Sequence, residues 1–160
     1  MGFPMEHARF MRHAAALALE KMRANIGGPF GAVIVRHGEI VAEGWNEVTS
    51  SNDPTAHAEV NAIRRACARL ATFQLNDCDI FTNCEPCPMC LGAIYWARLR
   101  HVYYVRTRAE ATAIGFDDDF IYREIALDPA ARSIPATRLS QPDDLDAFAE
   151  CVSKPDKVPY

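Results

Sequence analysis

Residues 79–105 read DIFTNCEPCPMCLGAIYWARLRHVYYV, and they predict a strand, a helix and a second strand in succession. The first strand covers 79–82 and the second covers 101–105. The helix covers 88–97, because Pro88 suits the first position of a helix. A strand–helix–strand order implies parallel strands joined by a right-handed crossover. The stretch therefore predicts an α/β fold in which helices pack on the faces of a sheet.

The residues before this stretch add two helices and a hairpin to the predicted fold. Apolar residues recur at helical spacing from residue 5 to about residue 24, which predicts an amphipathic helix. The apolar run 32–35 and the segment 40–42 predict the two strands of a hairpin. Apolar residues that share one face predict a further helix at 54–70.

The resulting order, α-β-β-α-β-α-β, predicts a three-layer α/β/α sandwich in which the hairpin adds an antiparallel edge to the sheet. The helix at 54–70 has two candidate N-caps, Asp53 and Thr55. Beyond Thr107 we predict three short helices, at 109–114, 119–125 and 143–152. An extended tail follows at 153–160.

The composition is that of one globular domain spanning residues 1–160. Of the 160 residues, 49% are hydrophobic and 24% are charged, and a single domain has roughly 100–200 residues.

The net charge of −4 argues against a nucleic-acid partner and against an anionic membrane surface. No apolar run approaches the ~20 residues needed to span a bilayer. Six cysteines without a signal-like N-terminal segment predict a reducing compartment, so we expect the protein to be cytoplasmic.

Two short motifs carry side chains that can bind a metal ion. His57 opens the helix at 54–70, and Cys87 and Cys90 open the helix at 88–97. Residues three apart share a helical face, so both thiols can bind one ion, and the helix N-terminus favours the thiolate form. With His57 they form a His/Cys/Cys set, which predicts one Zn²⁺ per chain with one of its four tetrahedral positions open to water.

Glu59 is the predicted catalytic residue beside this zinc. Zinc lowers the pKa of a bound water to about 7 and so generates a hydroxide nucleophile at neutral pH. A carboxylate is a poor additional ligand for a zinc that already has two thiolates, so we predict that Glu59 moves protons instead. The spacing H-x-E followed by P-C-x-x-C is the pattern of zinc-dependent nucleobase and nucleoside deaminases.

A structural zinc site is the non-enzymatic alternative. Cys84 lies three residues before Cys87 and is a candidate fourth ligand. Pro86 bends the chain between them, which favours a packing role for Cys84, and the same role is predicted for three other cysteines, Cys67, Cys78 and Cys151.

Four segments resemble the bacterial guanine deaminases of the cytidine deaminase superfamily: GGPFGAV (27–33), SNDPTAHAE (51–59), CEPCPMCLGAIYWAR (84–98) and GFDDDFIY (115–122). The resemblance implies a five-stranded mixed sheet with helices on both faces. It also implies hydrolysis of guanine to xanthine and ammonia. A free purine base is then the partner molecule, and a homodimer with exchanged C-terminal segments is the implied assembly.

The resemblance further assigns residues to the base-binding site. Asn46, the backbone of Ala58 and Asp118 would recognise the base. Phe30 and Trp96 would line its pocket, and Tyr160 would close over the site from the tail at 153–160. In an exchanged dimer, Asp118 and Tyr160 would act in the partner's site. Without the resemblance, these aromatic residues are more typical of a core, and the polar ones are typical of turns and caps.

Two other activities remain open at this point. A tRNA adenosine deaminase has a similar motif around His57, and a cluster of arginines at 98–108 could contact phosphates. The negative net charge and the C-terminal Pro159-Tyr160, where a basic helix would be expected, argue against RNA. Deamination of free cytosine or of another amino-heterocycle is the second alternative.

Overall fold

A four-stranded mixed sheet forms the centre of the computed structural model, which describes residues 5–140 and 145–159. Its spatial order is β2-β1-β3-β4. β1 is antiparallel to both of its neighbours, and β3 is parallel to β4. The strands are β1 (Gly31–Arg36), β2 (Glu39–Trp45), β3 (Cys78–Cys84) and β4 (His101–Arg106).

Seven α-helices and one 3₁₀ turn accompany the sheet within the described residues. The 3₁₀ turn (Pro129–Ala131) and α2 were not predicted. Most of the other predicted boundaries agree to within three residues. The helices are α1 (Met5–Arg23), α2 (Val48–Ser51), α3 (Ala58–Leu70), α4 (Pro88–Trp96), α5 (Arg108–Ala113), α6 (Asp118–Ile125) and α7 (Ala147–Ser153).

The sheet is buried between helices on both faces, which confirms the predicted three-layer architecture. Successive residues of a strand point to opposite faces. In β1, Val33 and Val35 pack with Phe10 and Leu17 of α1. Ile34 packs on the other face with residues of α3 and α4. Burial on both faces explains why residues 32–35 form a continuous apolar run.

The hairpin lies at one edge of the sheet and is antiparallel to the rest, as predicted. β2 is the edge strand, and β1 pairs on its other side with β3, with Ala32 opposite Thr82. The parallel pairing within the described chain is therefore confined to β3 and β4. The connection from β2 through α3 passes across β1 to reach β3. The fifth strand implied by the resemblance is absent from residues 5–140 and 145–159.

The chain divides into two compact units, Met1–Tyr122 and Arg123–Tyr160. The first unit contains the whole four-stranded sheet. The second contains the 3₁₀ turn and α7, and the predicted helix at 143–152 begins later, at Ala147, with residues 141–144 outside the described part. Across the described ranges, no helix has the length and apolarity needed to cross a membrane.

Close packing at Gly44 fixes the distance between β2 and the start of α3. A Cβ atom at Gly44 would clash with the carbonyl oxygen of Ala58 and would lie 2.5 Å from the backbone nitrogen of Ala62. Both partners are backbone atoms, so a side chain there must push strand and helix apart. Glycine at this position therefore determines how closely α3 approaches the sheet.

We expect Gly44→Ala to lower the free energy of unfolding by about 1–3 kcal/mol, the usual cost of overpacking. Urea denaturation measures this change. Gly92→Ala is the matched control, since it is in α4 and no atom outside its chain neighbours and the surrounding helix backbone lies within 4 Å of its Cβ position. That substitution should leave stability unchanged or raise it by up to about 1 kcal/mol. Equal midpoints for the two variants would contradict the packing argument.

Candidate active site

The N-terminus of α3 places His57 and Glu59 together. The predicted helix at 54–70 begins only at Ala58, and its N-cap is His57, not Asp53 or Thr55. Asp53 instead accepts hydrogen bonds from the backbone nitrogen and the hydroxyl of Thr55, at 2.8 and 2.7 Å. This Asx turn holds the chain out of the helical conformation. His57 is consequently extended, while Glu59 lies in the first helical turn.

The N-terminus of α4 supplies the two thiols, as predicted. Pro88 is the first helical residue and Cys87 is the N-cap. The Cys87 sulfur accepts a hydrogen bond from the backbone nitrogen of Cys90 at 3.5 Å. Both cysteines are buried. The local sequence therefore brings the two sulfurs to the same end of the same helix.

His57, Cys87 and Cys90 form a site that fits a zinc ion. Their ligand atoms all lie within 4.8 Å of one another, and His57 Nδ1 is 3.5 Å from each sulfur. Tetrahedral zinc with Zn–S of about 2.3 Å and Zn–N of about 2.0 Å requires an S···N separation of about 3.5 Å. The donor set and its spacing therefore match a three-ligand zinc site.

Cys84 stands apart from this group. Among the described residues, the cluster that could hold a metal comprises His57, Cys87 and Cys90 alone. The Cys84 thiol donates instead to the carbonyl oxygen of Thr107 at 3.9 Å. Burial raises the pKa of Cys84 to about 11, which keeps it as a neutral thiol. This arrangement matches the predicted packing role rather than a fourth ligand.

The three ligand side chains also perturb one another's protonation. A side-chain hydrogen bond with Cys90 lowers the pKa of Cys87 to about 4, and the contact with His57 acts in the same direction. The pKa of Cys90 is raised, because it is hydrogen-bonded to Cys87 and buried. The hydrogen bond with Cys87 raises the pKa of His57. These shifts favour the thiolate form of Cys87, a microenvironment typical of reactive or metal-binding cysteines.

Glu59 is buried next to this group. Its Oε1 accepts a hydrogen bond from the Thr82 hydroxyl at 3.1 Å, and its Oε2 lies 3.4 Å from the Cys90 sulfur. Burial raises the pKa of Glu59. A carboxyl group with a raised pKa can exchange protons more readily near neutral pH. Glu59 is therefore well placed to move a proton at the open side of the metal site.

A cavity of about 550 Å³ opens onto the metal-binding residues. His57, Glu59 and Cys87 line it, together with Asn46 and Asp118. This volume lies within the range of about 300–1,000 Å³ that is usual for small-molecule sites. The metal site therefore adjoins a space large enough for a small ligand.

Asn46 is held in one orientation within the cavity wall. Its Oδ1 accepts hydrogen bonds from the backbone nitrogens of Gly28 and Val48, at 3.1 and 3.2 Å. An amide oxygen has two lone pairs, and both are used here. The side chain can therefore offer a ligand only the donors of its amino group.

Phe30 and Phe116 form an aromatic wall of the same cavity. Their ring centroids are 4.8 Å apart and their planes are nearly perpendicular, at 89°. Asn83 holds the loop that carries Phe30, since its side chain accepts from the nitrogen of Gly31 at 2.9 Å and donates to the carbonyl of Pro29 at 2.8 Å. The cavity thus has one rigid face suited to a planar ring.

Asp118, the first residue of α6, is half-buried at the cavity edge. Burial raises its pKa, and the negative charge of Cys87 adds to this effect. The segment that carries it is held near the site by Tyr122, whose hydroxyl donates to the carbonyl oxygen of Pro86 at 3.0 Å. The structure thus brings Asp118 into the cavity of its own chain.

Three of the predicted site residues that the structure describes, Cys90, Ala58 and Trp96, are not in the lining of this cavity. Trp96 is 68% exposed at the C-terminal end of α4, six residues and about 9 Å along the helix from Cys90. Ala58 has a fully buried side chain, although its backbone N–H lies in the first turn of α3, where helical hydrogen bonds do not use it. Tyr160 lies outside the described residues.

Several residues that contribute to the site were not predicted, among them Phe116, Glu85 and Thr82. Phe116 and Glu85 line the cavity, and Thr82 contacts Glu59. Phe116 lies within the segment 115–122 on which the resemblance rests, so that segment contained a usable signal. Thr82 lies in a short apolar strand, and nothing in its sequence context distinguishes it from a core residue.

Comparisons with known proteins place the chain among deaminases. The cytidine and deoxycytidylate deaminase zinc-binding region matches residues 4–106. Guanine deaminase of Bacillus subtilis (strain 168) is 55% identical over 144 residues, which make up 90% of this chain and 92% of the relative. The tRNA-specific adenosine deaminase of Aquifex aeolicus (strain VF5) is 45% identical over 76 residues, 48% of this chain and 50% of that protein.

The solved structures agree with the sequence relatives. The X-ray structure of guanine deaminase from Bacillus subtilis superposes with a TM-score of 0.93 at 52% identity, covering 96% of this chain and 98% of that chain. These findings confirm the predicted resemblance and the predicted fold class.

We expect Cys87→Ser to reduce the bound zinc from about one ion per chain towards zero, because two protein ligands do not hold zinc tightly. Metal analysis of the purified protein measures this loss. Cys84→Ser is the matched control, since it removes a neighbouring buried thiol that lies outside the ligand group. Loss of zinc from the Cys84 variant would show instead that the site has a fourth thiol.

Proposed function

Because the chain belongs to the family of zinc-binding cytidine and deoxycytidylate deaminases, we propose that it hydrolyses guanine to xanthine and ammonia. His57, Cys87 and Cys90 are the proposed zinc ligands and Glu59 is the proposed catalytic acid and base. The observation that supports guanine most directly is that Asp118, from the segment resembling guanine deaminases, lines the cavity that contains Glu59.

The proposed reaction exchanges the amino group of guanine for an oxygen atom from water. When bound, zinc supplies a Lewis acid that makes water nucleophilic at neutral pH. Glu59 accepts a proton released from the water and returns protons to a ring nitrogen and then to the departing amine. Its buried carboxylate, next to Cys90, supports this role because the proton transfers occur away from bulk solvent.

Recognition of the base is proposed to depend on the cavity walls. The Asn46 amino group donates to an acceptor on the purine edge, and the Asp118 carboxylate accepts from ring and amino N–H groups. Phe30 packs against the plane of the ring. The backbone N–H of Ala58 is a further proposed donor. A fixed donor at Asn46 and a carboxylate at Asp118 in one cavity support a purine base as the substrate.

We also propose that the protein forms a homodimer. Trp96 and its neighbour Tyr95 are largely exposed on α4, and β4 is an edge strand whose Tyr104 and Val105 are exposed as well. Exposed apolar patches and open strand edges are typical of surfaces that bind another chain. Trp96, which is absent from the cavity lining, is therefore assigned to the proposed subunit contact.

The tail at 153–160 is proposed to be exchanged between the two copies and to close the partner copy's active site through Tyr160, while Asp118 stays in the cavity of its own chain. In the second unit, large apolar side chains such as Ile134, Leu139 and Phe148 are each more than four-fifths exposed, which supports burial against another chain. The deaminase domain would then use the whole of residues 1–160.

Six free cysteines support a cytoplasmic location, because such thiols persist in reducing compartments.

The activity is tested by measuring ammonia release from guanine, adenine, cytosine, their nucleosides and a tRNA anticodon stem. We expect guanine to be the substrate and its turnover to depend only weakly on salt. Contacts with RNA phosphates would instead give a steep loss of activity with rising salt. Activity on the tRNA stem without activity on guanine would contradict the proposed substrate.

Glu59→Gln is expected to retain zinc while losing about 10²–10⁴-fold in kcat, because the amide cannot move protons. Metal analysis and steady-state kinetics with guanine measure the two properties separately. A Glu59→Gln variant as active as the parent protein would remove Glu59 from the mechanism. Loss of zinc from this variant would make Glu59 a ligand.

The assembly is tested by light scattering after size-exclusion chromatography. We expect a mass twice that of the 17.8 kDa chain. Trp96→Ala should weaken the dimer, since exposed tryptophans at interface centres contribute about 2 kcal/mol or more. A monomeric parent protein that is fully active would contradict the proposed dimer.

A further inference from the structure

Thr82 is a fully buried polar residue in the middle of an apolar layer. It lies in β3 two residues after Ile80, so the two side chains share the face of the sheet that is covered by α3 and α4. None of the Thr82 surface is exposed. A buried hydroxyl is costly unless it is hydrogen-bonded. The hydroxyl of Thr82 donates to Oε1 of Glu59 at 3.1 Å.

The two oxygens of Glu59 consequently have different surroundings. Oε1 accepts the hydrogen bond from Thr82, which lies in an inner strand of the sheet. Oε2 lies 3.4 Å from the sulfur of Cys90, on the side of the zinc-binding residues. Rotation of the carboxylate would break the first contact. The hydrogen bond from Thr82 therefore selects which oxygen faces the metal site.

We propose that Thr82 is a positioning residue for Glu59, whose hydroxyl orients the carboxylate so that one oxygen faces the metal site and the cavity. This inference rests on the proposed function, in which Glu59 transfers protons. Thr82 itself is not among the residues that line the cavity. Its effect is therefore expected in the chemical step and not in binding of the base.

The strand register makes the hydroxyl position rigid. Thr82 pairs with Ala32 of β1 on one side and with Tyr104 of β4 on the other, so its backbone is fixed from both sides. Glu59 approaches from the first turn of α3, whose distance from the sheet is set at Gly44. A small displacement of a catalytic group can reduce turnover by about 100-fold. Fixing the carboxylate from the sheet avoids such displacement.

The test compares Thr82→Val with Thr82→Ser. Valine keeps the branched shape but removes the hydroxyl, whereas serine keeps the hydroxyl and loses only a methyl group. We expect Thr82→Val to lower kcat for guanine by about 10–100-fold, as found when a partner that orients a functional group is removed. KM and zinc content should stay unchanged. Thr82→Ser should retain most of the kcat of the parent protein.

Thr82→Ala is the second variant without the hydroxyl, and it replaces valine in the comparison if the valine protein does not fold. Equal losses in the serine and valine variants would show a packing role and would overturn the proposal. Full activity of a folded valine or alanine variant would overturn it as well.

A crystal structure of each zinc-loaded variant gives a readout that does not depend on activity. We expect the Glu59 carboxylate to rotate or to occupy several orientations in Thr82→Val, and to keep the parent orientation in Thr82→Ser. An unchanged carboxylate in Thr82→Val overturns the proposal. If the parent protein binds zinc but releases no ammonia from guanine, the proposed function fails, and the carboxylate orientations still decide the role of Thr82.

Discussion

Two helices begin at the same end of the sheet, and the residue that precedes each helix is a candidate metal ligand. His57 caps α3 and Cys87 caps α4. Unpaired N–H groups and the helix dipole give this region a partial positive charge, which stabilises thiolate. Close packing of α3 against Gly44 sets the position of the start of α3, so that its first residues lie beside the first residues of α4. The metal site, the buried Glu59 and the adjoining cavity all depend on this meeting of helix ends.

Polar side chains of α3 hold the chain around Asn46 in place through hydrogen bonds. The buried amide of Asn61 donates to the carbonyl of Trp45 and to the carboxylate of Glu47, at 3.0 and 2.9 Å. Arg65 pairs with the same carboxylate at 2.6 Å. These contacts connect α3 to the chain on either side of Asn46. Buried polar groups of this kind stabilise a structure only when they are paired, so the network specifies one arrangement of the cavity wall.

Local patterns predicted most of the fold because they depend on neighbouring residues. The apolar run at 32–35 and Pro88 at the start of α4 each led to an element that the structure contains. The prediction was wrong for the start of α3, where the side chain of Asp53 stabilises a turn in place of a cap. The strand order, with β1 between β2 and β3, was not predicted, since it depends on contacts between distant segments that periodicity does not record.

The sequence by itself determined the donor set of His57, Cys87 and Cys90, the acid/base candidate Glu59 and the layered α/β architecture, because these follow from two short motifs and from the periodicity of single helices and strands. Tertiary structure alone decided that Thr82 is hydrogen-bonded to Glu59 and that the ring of Phe116 packs edge-on against Phe30. It also decided that Trp96 lies outside the cavity lining. Each of these outcomes depends on how far apart in space two or more elements lie. That distance is set by packing across the whole sheet.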